Sequence, residues 1–220
     1  MEQIWNFIEQ EQNGKVCYNK EKLDLILRCL DDEKLLNEID KTLVVGVDPI
    51  SSYINYFNKI KDFFAIGSNI IELGFGDFPI MSFLIDQEQR KINQGQIIAY
   101  DGCRIAYSEF EIEGPQKTSI APLGNIIYNF ERIDQHTNLP PYDLIFGIKT
   151  CKGLINLVER ANKDQKDFFL VPCDCYPPEI INYLYNLALK GTDSSHELII
   201  DDSLDKAYPI LVRKKKKREK

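Results

Sequence analysis

Asn69-Ile70-Ile71-Glu72-Leu73-Gly74-Phe75-Gly76-Asp77-Phe78-Pro79 is the stretch that decides the fold: an apolar run enters a turn with two glycines, and a proline then opens an amphipathic segment. The run is too short for a helix and, bounded by turn residues, reads as a buried strand over about 69–73. Glycines at 74 and 76 allow a tight turn and leave no Cβ in the way of a ligand approaching the backbone. Pro79 suits the first turn of a helix running to Lys91, whose opening N–H groups are free for a polar ligand. A flat polar ligand is the expected occupant; the alternative is a turn that binds nothing.

Downstream, short apolar runs alternate with longer helical stretches, the pattern of a parallel sheet with crossover helices. Strands are expected at about 97–101, 126–131, 143–148 and 168–172, and an end pair at about 197–200 and 207–212, making seven with the first. Helices are expected at Arg104–Phe110, Lys152–Asn162 and Pro178–Leu189. Upstream, apolar residues recur at spacings of three and four: Ile4, Trp5, Phe7 and Ile8; Leu23, Ile26, Leu27 and Leu30; Leu35, Leu36 and Ile39. Asn13-Gly14 separates the first two groups, and Val47-Asp48-Pro49 starts a fourth helix through Tyr53, Tyr56, Phe57 and Ile60. Residues 1–66 therefore read as a helical cap packed on a sheet domain over 67–212.

The chain of 220 residues is 44% hydrophobic and 28% charged, close to globular averages, and its length suits one α/β domain with an extension. No stretch approaches the roughly 20 uncharged apolar residues of a membrane helix, and MEQIWNFIEQEQ lacks the basic flank and apolar core of a signal peptide. A cytoplasmic location without membrane contact is expected, with six cysteines kept as thiols. The last eight residues, RKKKKREK, carry seven positive charges and one negative, so against a total of -7 the body stands at -13. Residues 213–220 read as a disordered basic tail. Three roles are open to it: a phosphate contact, a nuclear address or a solvated end.

Asp101 ends the second expected strand, 25 residues after Gly76. A carboxylate at that tip can accept hydrogen bonds from both hydroxyls of a ribose. With it, Glu72-Leu73-Gly74-Phe75-Gly76 resembles the first motif of class I S-adenosylmethionine-dependent methyltransferases, Asp101 standing at the position of their ribose-binding acid. The resemblance covers roughly 60–212 and implies an α/β fold: a Rossmann-like, seven-stranded, mostly parallel sheet with helices on both faces and an N-terminal helical extension. It implies S-adenosylmethionine as cofactor, held by Glu72, Gly74, Gly76 and Asp101 with Thr150 beside them. Asn129 or Glu131, at the third strand, would touch the adenine.

Two later segments, Phe146-Gly147-Ile148-Lys149-Thr150-Cys151-Lys152-Gly153 and Val171-Pro172-Cys173-Asp174-Cys175-Tyr176, are similar to the H-x-C-G and P-C-C-[YH] segments of a branch that includes transfer-RNA ribose methyltransferases. That similarity implies an RNA acceptor, with a protein acceptor as the alternative. Lys149-Thr150 departs from the branch, which has leucine and histidine there, and the first motif lacks its third small residue. A methyltransferase fold that has lost its chemistry and serves as a binding or regulatory subunit is therefore a second reading. A nicotinamide-dependent oxidoreductase is a third, opposed by Pro79 where close helix packing wants a small residue.

Cys151, Cys173 and Cys175 follow adjacent strands and are expected to cluster at the ligand edge. They read as buried structural thiols, as metal ligands, or as active-site groups in which Cys173 and Cys175, with Asp174, act as nucleophile and base. The metal reading lacks a fourth partner, since only His136 and His196 exist, so no metal is expected. Cys151 and Tyr176 line the acceptor side, where Tyr176 either stacks on a base or packs as an ordinary amphipathic ring. Asn138-Leu139-Pro140-Pro141-Tyr142 precedes the fourth strand and so belongs to a loop on the edge away from ligands.

Overall fold

A computed structural model of the chain describes residues 3–4, 8–12, 15–18, 20–39, 43–45, 48–61, 68–74, 80–90, 95–100, 119–120, 126–129, 133, 136–150, 153–202 and 208–216. Its centre is a seven-stranded sheet. In chain order the strands are β1 (Ile70–Leu73), β2 (Ile97–Tyr100), β3 (Ile126–Asn129), β4 (Leu144–Ile148), β5 (Asp167–Val171), β6 (His196–Asp201) and β7 (Ile210–Lys215). In space the order is β6-β7-β5-β4-β1-β2-β3. Every pair is parallel except the two made by β7, which runs antiparallel to both β5 and β6. The seven strands and the closing antiparallel pair are those expected from the sequence, and the fold is Rossmann-like α/β.

The central strands are near-continuous apolar runs because both faces of the sheet are covered. Every residue of β1 and β4 is buried. Side chains alternate between two cores: Ile70, Phe146, Phe169 and Val212 join one, Ile71, Ile145, Phe168 and Leu211 the other. The first core is covered by α1 (Lys20–Cys29), α2 (Glu33–Ile39), α3 (Ile50–Ile60) and α4 (Ile80–Arg90), through residues such as Ile26, Ile39, Ile54, Phe57 and Leu84. The second is covered by α5 (Leu154–Asp164) and α6 (Pro178–Gly191). In α5, Leu154, Leu157, Val158 and Ala161 are buried, the i, i+3, i+4, i+7 stripe of a helix lying on a sheet. Pro178 sits in the first turn of α6, with Glu179 beside it and Lys190 in the last turn, charges placed to suit the helix dipole.

Two expectations need correction. The helix expected around Ile4–Ile8 is replaced by strands: Gln3–Ile4 pairs with Leu43–Val45, and Ile8–Gln12 pairs antiparallel with Lys15–Tyr18. Gln12 stands opposite Lys15, leaving Asn13-Gly14 between the strands, and that dipeptide is the strongest short-range hairpin signal a sequence offers. The run Ile8-Glu9-Gln10-Glu11-Gln12 has too few apolar residues to impose a helical stripe against it. The basic tail also begins later than residue 213, since β7 continues through Lys215 and Arg213 is wholly buried. The helix expected at Arg104–Phe110 lies outside the described residues.

Candidate functional site at the carboxyl edge of the sheet

The chain leaves β1 toward β2 and β3 on one side and returns to β4 on the other. The strand order therefore reverses between β1 and β4, the point at whose carboxyl end sheets of this kind form a ligand crevice. The two strands run in step, Phe146 beside Glu72 and Gly147 beside Leu73, so Gly74 and the Lys149-Thr150 turn emerge together. Beneath them the strands are buried, while Gly74, Lys149 and Thr150 are partly exposed.

Gly74 has φ +69°, a left-handed conformation that costs a side-chain-bearing residue about 1–2 kcal/mol. A Cβ there would also lie 2.6 Å from the Thr150 hydroxyl oxygen and closer still to its methyl. That hydroxyl donates to the Leu73 carbonyl at 2.8 Å, pinning the loop after β4 to the end of β1. The glycine is thus required by the protein's own packing on its Thr150 flank. Glu72 is buried, and its carboxylate accepts at 3.1 Å from the Ser82 backbone N–H and also from the Ser82 hydroxyl. These contacts hold the first turn of α4 to β1, a role the motif pattern alone did not indicate.

The loops after β4 and β5 are tied to each other. Lys149, itself left-handed at φ +53°, donates its backbone N–H to the Val171 carbonyl at 2.9 Å. Its ammonium pairs with Asp174 at 2.6 Å, the lysine side chain almost covered and the aspartate mostly exposed. The Tyr176 hydroxyl donates to the Thr150 carbonyl at 3.3 Å, and the Tyr208 hydroxyl donates to the Tyr176 carbonyl at 2.8 Å. Tyr176 therefore acts as a strut between the loops. Cys173 is half-buried, Cys175 exposed, and their sulfurs lie 2.8 Å apart.

Thr150, Cys173, Asp174, Cys175 and Tyr176 thus stand together on the two loops after β4 and β5, with Glu72 and Gly74 at the end of β1 beside them. Asn129 ends β3 opposite Tyr100, its side chain outside the described residues. Gly76, Asp101, Glu131 and Cys151 also lie outside them. Among the described residues no three His, Cys, Asp or Glu side chains are grouped to hold a metal ion, and no helix is long and apolar enough to cross a membrane. His196 begins β6 at the opposite edge, and the loop over 138–142 precedes β4, away from the carboxyl edge. Lys149, Ser82 and Tyr208 are the contributors that the motifs did not mark. For Lys149 the available signal was its departure from the branch pattern.

Neither a protein-family model nor a curated protein sequence matches the chain. Solved structures that resemble it include a SAM-dependent methyltransferase from Aquifex aeolicus, 16% identical over 83% of this chain and 97% of that one, TM-score 0.47. A SAM-dependent O-methyltransferase from Thermotoga maritima is 15% identical over 93% and 75%, TM-score 0.47. A dimethyladenosine transferase from Plasmodium falciparum is 11% identical over 90% and 62%, TM-score 0.38. The fold class is defined by the strand order and direction given above.

Proposed function

We propose that the chain is an S-adenosylmethionine-dependent methyltransferase with RNA as acceptor. The observation that carries this reading is the left-handed Gly74 turn at the point where the strand order reverses, partly exposed above buried strands. That turn suits the close backbone approach of a nucleoside-bearing ligand, and β2 ends beside it at Tyr100, one residue before Asp101. When bound, S-adenosylmethionine supplies a methyl group already activated on a sulfonium. The chain's own part is then alignment and exclusion of water. In this reading the Asp101 carboxylate accepts from ribose hydroxyls, Asn129 or Glu131 meets the adenine edge, Gly76 leaves room for the donor, and Gly74 turns the backbone toward it while Thr150 fills its Cβ side. Thr150, Cys151, Cys173, Asp174 and Tyr176 border the acceptor. RNA is proposed from the similarity of 146–153 and 171–176 to the transfer-RNA ribose methyltransferase branch.

One observation favours a second reading, a fold kept for binding without transfer. The Asp174 carboxylate is engaged by Lys149, so its geometry is that of an ion pair instead of a free base. Calorimetric titration of the full chain with S-adenosylmethionine, and separately with NAD, tests both. Saturable binding of the sulfonium ligand, weakened about tenfold or more by Asp101→Ala through loss of charged hydrogen bonds, is expected. Transfer of a labelled methyl group to RNA then separates the enzyme from the binding module. Absence of sulfonium binding sinks the methyltransferase and leaves the fold kept as a partner or regulatory subunit, and NAD binding in its place points to the oxidoreductase.

A further inference from the structure

We propose that Cys173 and Cys175 form a thiol–disulfide exchange site that closes into an intramolecular disulfide when the chain meets a low-molecular-weight disulfide such as oxidised glutathione. The two sulfurs are 2.8 Å apart, about 0.8 Å short of the roughly 2.0 Å of a bond. The turn that brings them together is closed by the Tyr176 N–H donating to the Cys173 carbonyl at 3.0 Å, and by the neighbouring strut from Tyr176 to Thr150. Burial separates this pair from a packing cysteine such as Cys29, which is 2% exposed in the core, whereas Cys175 faces solvent.

Electrostatics point the same way. The Cys173 sulfur accepts from the Cys175 backbone N–H at 3.5 Å and from its thiol, so it is held facing the sulfur to which it must bond. The residue between the cysteines is an aspartate, which alone would oppose a thiolate on either side. The Lys149 ammonium, 2.6 Å from that carboxylate, offsets it.

The exchange is balanced. The exposed Cys175 thiolate attacks one sulfur of the small disulfide, forming a mixed disulfide and releasing the first small thiol. The Cys173 thiolate then attacks the Cys175 sulfur, forming the Cys173–Cys175 bond and releasing the second. Two protein thiols are oxidised, one small disulfide is reduced to two thiols, and the two protons pass to the released thiolates. No methyl donor takes part, so the site stands or falls apart from the function proposed above.

The test incubates the reduced full-length protein with graded ratios of oxidised to reduced glutathione, blocks remaining thiols by alkylation and weighs the peptides. The peptide holding Cys173 and Cys175 is expected to lose two hydrogens, carry no alkyl group or glutathione, and recover both thiols on treatment with dithiothreitol. At the same ratio Cys29 is expected to remain a thiol. In Cys173→Ser the resolving sulfur is gone, so Cys175 should instead hold one glutathione. The proposal is overturned if both wild-type cysteines stay alkylated at every ratio, if a mixed disulfide persists in the wild type, or if either cysteine pairs with a third.

Discussion

At the amino edge of the sheet the chain ties its loops and helix ends with buried and paired polar groups, whereas at the carboxyl edge it leaves a mostly exposed carboxylate, Asp174, and an exposed thiol, Cys175. Before the first, second and fourth strands, Asn69 and Asp143 bond reciprocally through backbone and side chain at 2.8 and 2.9 Å, and the Asn69 amide oxygen accepts from Gln96 N–H at 3.2 Å. Nearby the Tyr142 hydroxyl donates to Asp164 at 2.8 Å, and burial with this partner pushes the phenol well above its ordinary range. Arg160 pairs with the same carboxylate at 2.6 Å. The contrast teaches that this fold concentrates its fixed polar order where no ligand is expected. Left-handed residues occur at both edges, Gly74 and Lys149 at the carboxyl edge and Gly95 and Gln165 at the amino edge, so it is the polar ties that differ.

Arg213 is the sharpest way to break that comparison. It is wholly buried, 4.9 Å over the Phe168 ring, and donates to the Ala161 carbonyl at 2.6 Å, Asn162 Oδ1 at 2.6 Å, the Gly191 carbonyl at 3.2 Å and twice to the Lys166 carbonyl. It therefore satisfies carbonyls at the ends of both helices on one face. Burial pulls its pKa down, but the guanidinium stays charged and forks across acceptors a lysine could not reach together. Arg213→Met strands several of those acceptors away from water and should cost about 3–5 kcal/mol in denaturant unfolding. A loss below about 1 kcal/mol would remove the idea that the amino edge carries the fixed order.

The carboxyl edge answers with Gly74. Gly74→Ala takes on about 1–2 kcal/mol of left-handed strain and about 1–3 kcal/mol of overpacking against Thr150. In a Thr150→Gly background the overpacking should vanish while the strain stays, so the alanine should cost less there than in the wild type. Equal costs in the two backgrounds would mean that Thr150 does not fill the space above the turn.

These residues also show how far the sequence could be read. The apolar runs around Ile70, Ile97, Leu144 and Phe168 announced buried parallel strands because their pattern is dictated by burial on both faces, which is a local property. Gly74 was legible as a turn glycine for the same reason. That Thr150 covers it depends on β1 and β4 lying side by side, a contact between residues 77 apart in sequence. Arg213 looked like the first residue of a tail because the seven residues after it are all charged and, except for Glu219, basic. Only the apolar Ile210-Leu211-Val212 before it, continuing a strand, hinted that it goes inside. The helical reading of the first 18 residues failed where weak apolar periodicity competed with the Asn13-Gly14 hairpin signal. Asp101, by far the most informative acid in the motif reading, lies outside the described residues, so its part rests on the titration.

The smallest expected effect sharpens the amino edge by its pH dependence. Asp193 sits in the turn before β6 and accepts from the Ser195 hydroxyl at 2.7 Å, the Ser195 N–H at 2.8 Å and His196 Nδ1 at 2.7 Å. The Ser195 hydroxyl first and His196 second hold its pKa well below the ordinary value near 4. A carboxylate lowered by folding stabilises above its unfolded pKa and loses that contribution as pH falls through the folded value. Wild type should therefore exceed Asp193→Asn in stability from pH 7 down to about 4, and the difference should shrink below that. Asp167, at the start of β5, has the opposite sign: burial raises it, against the opposing pull of His196 and Lys215. Its ionised form costs stability at neutral pH, so wild type should gain on Asp167→Asn as pH falls from the raised folded value toward about 4. Two aspartates near His196, at 2.7 and 3.7 Å from its two nitrogens, should thus move stability in opposite directions in adjacent pH windows. Unfolding curves of the three proteins at pH 7, 5 and 3 decide it, and parallel behaviour of the two variants would show that burial does not separate them.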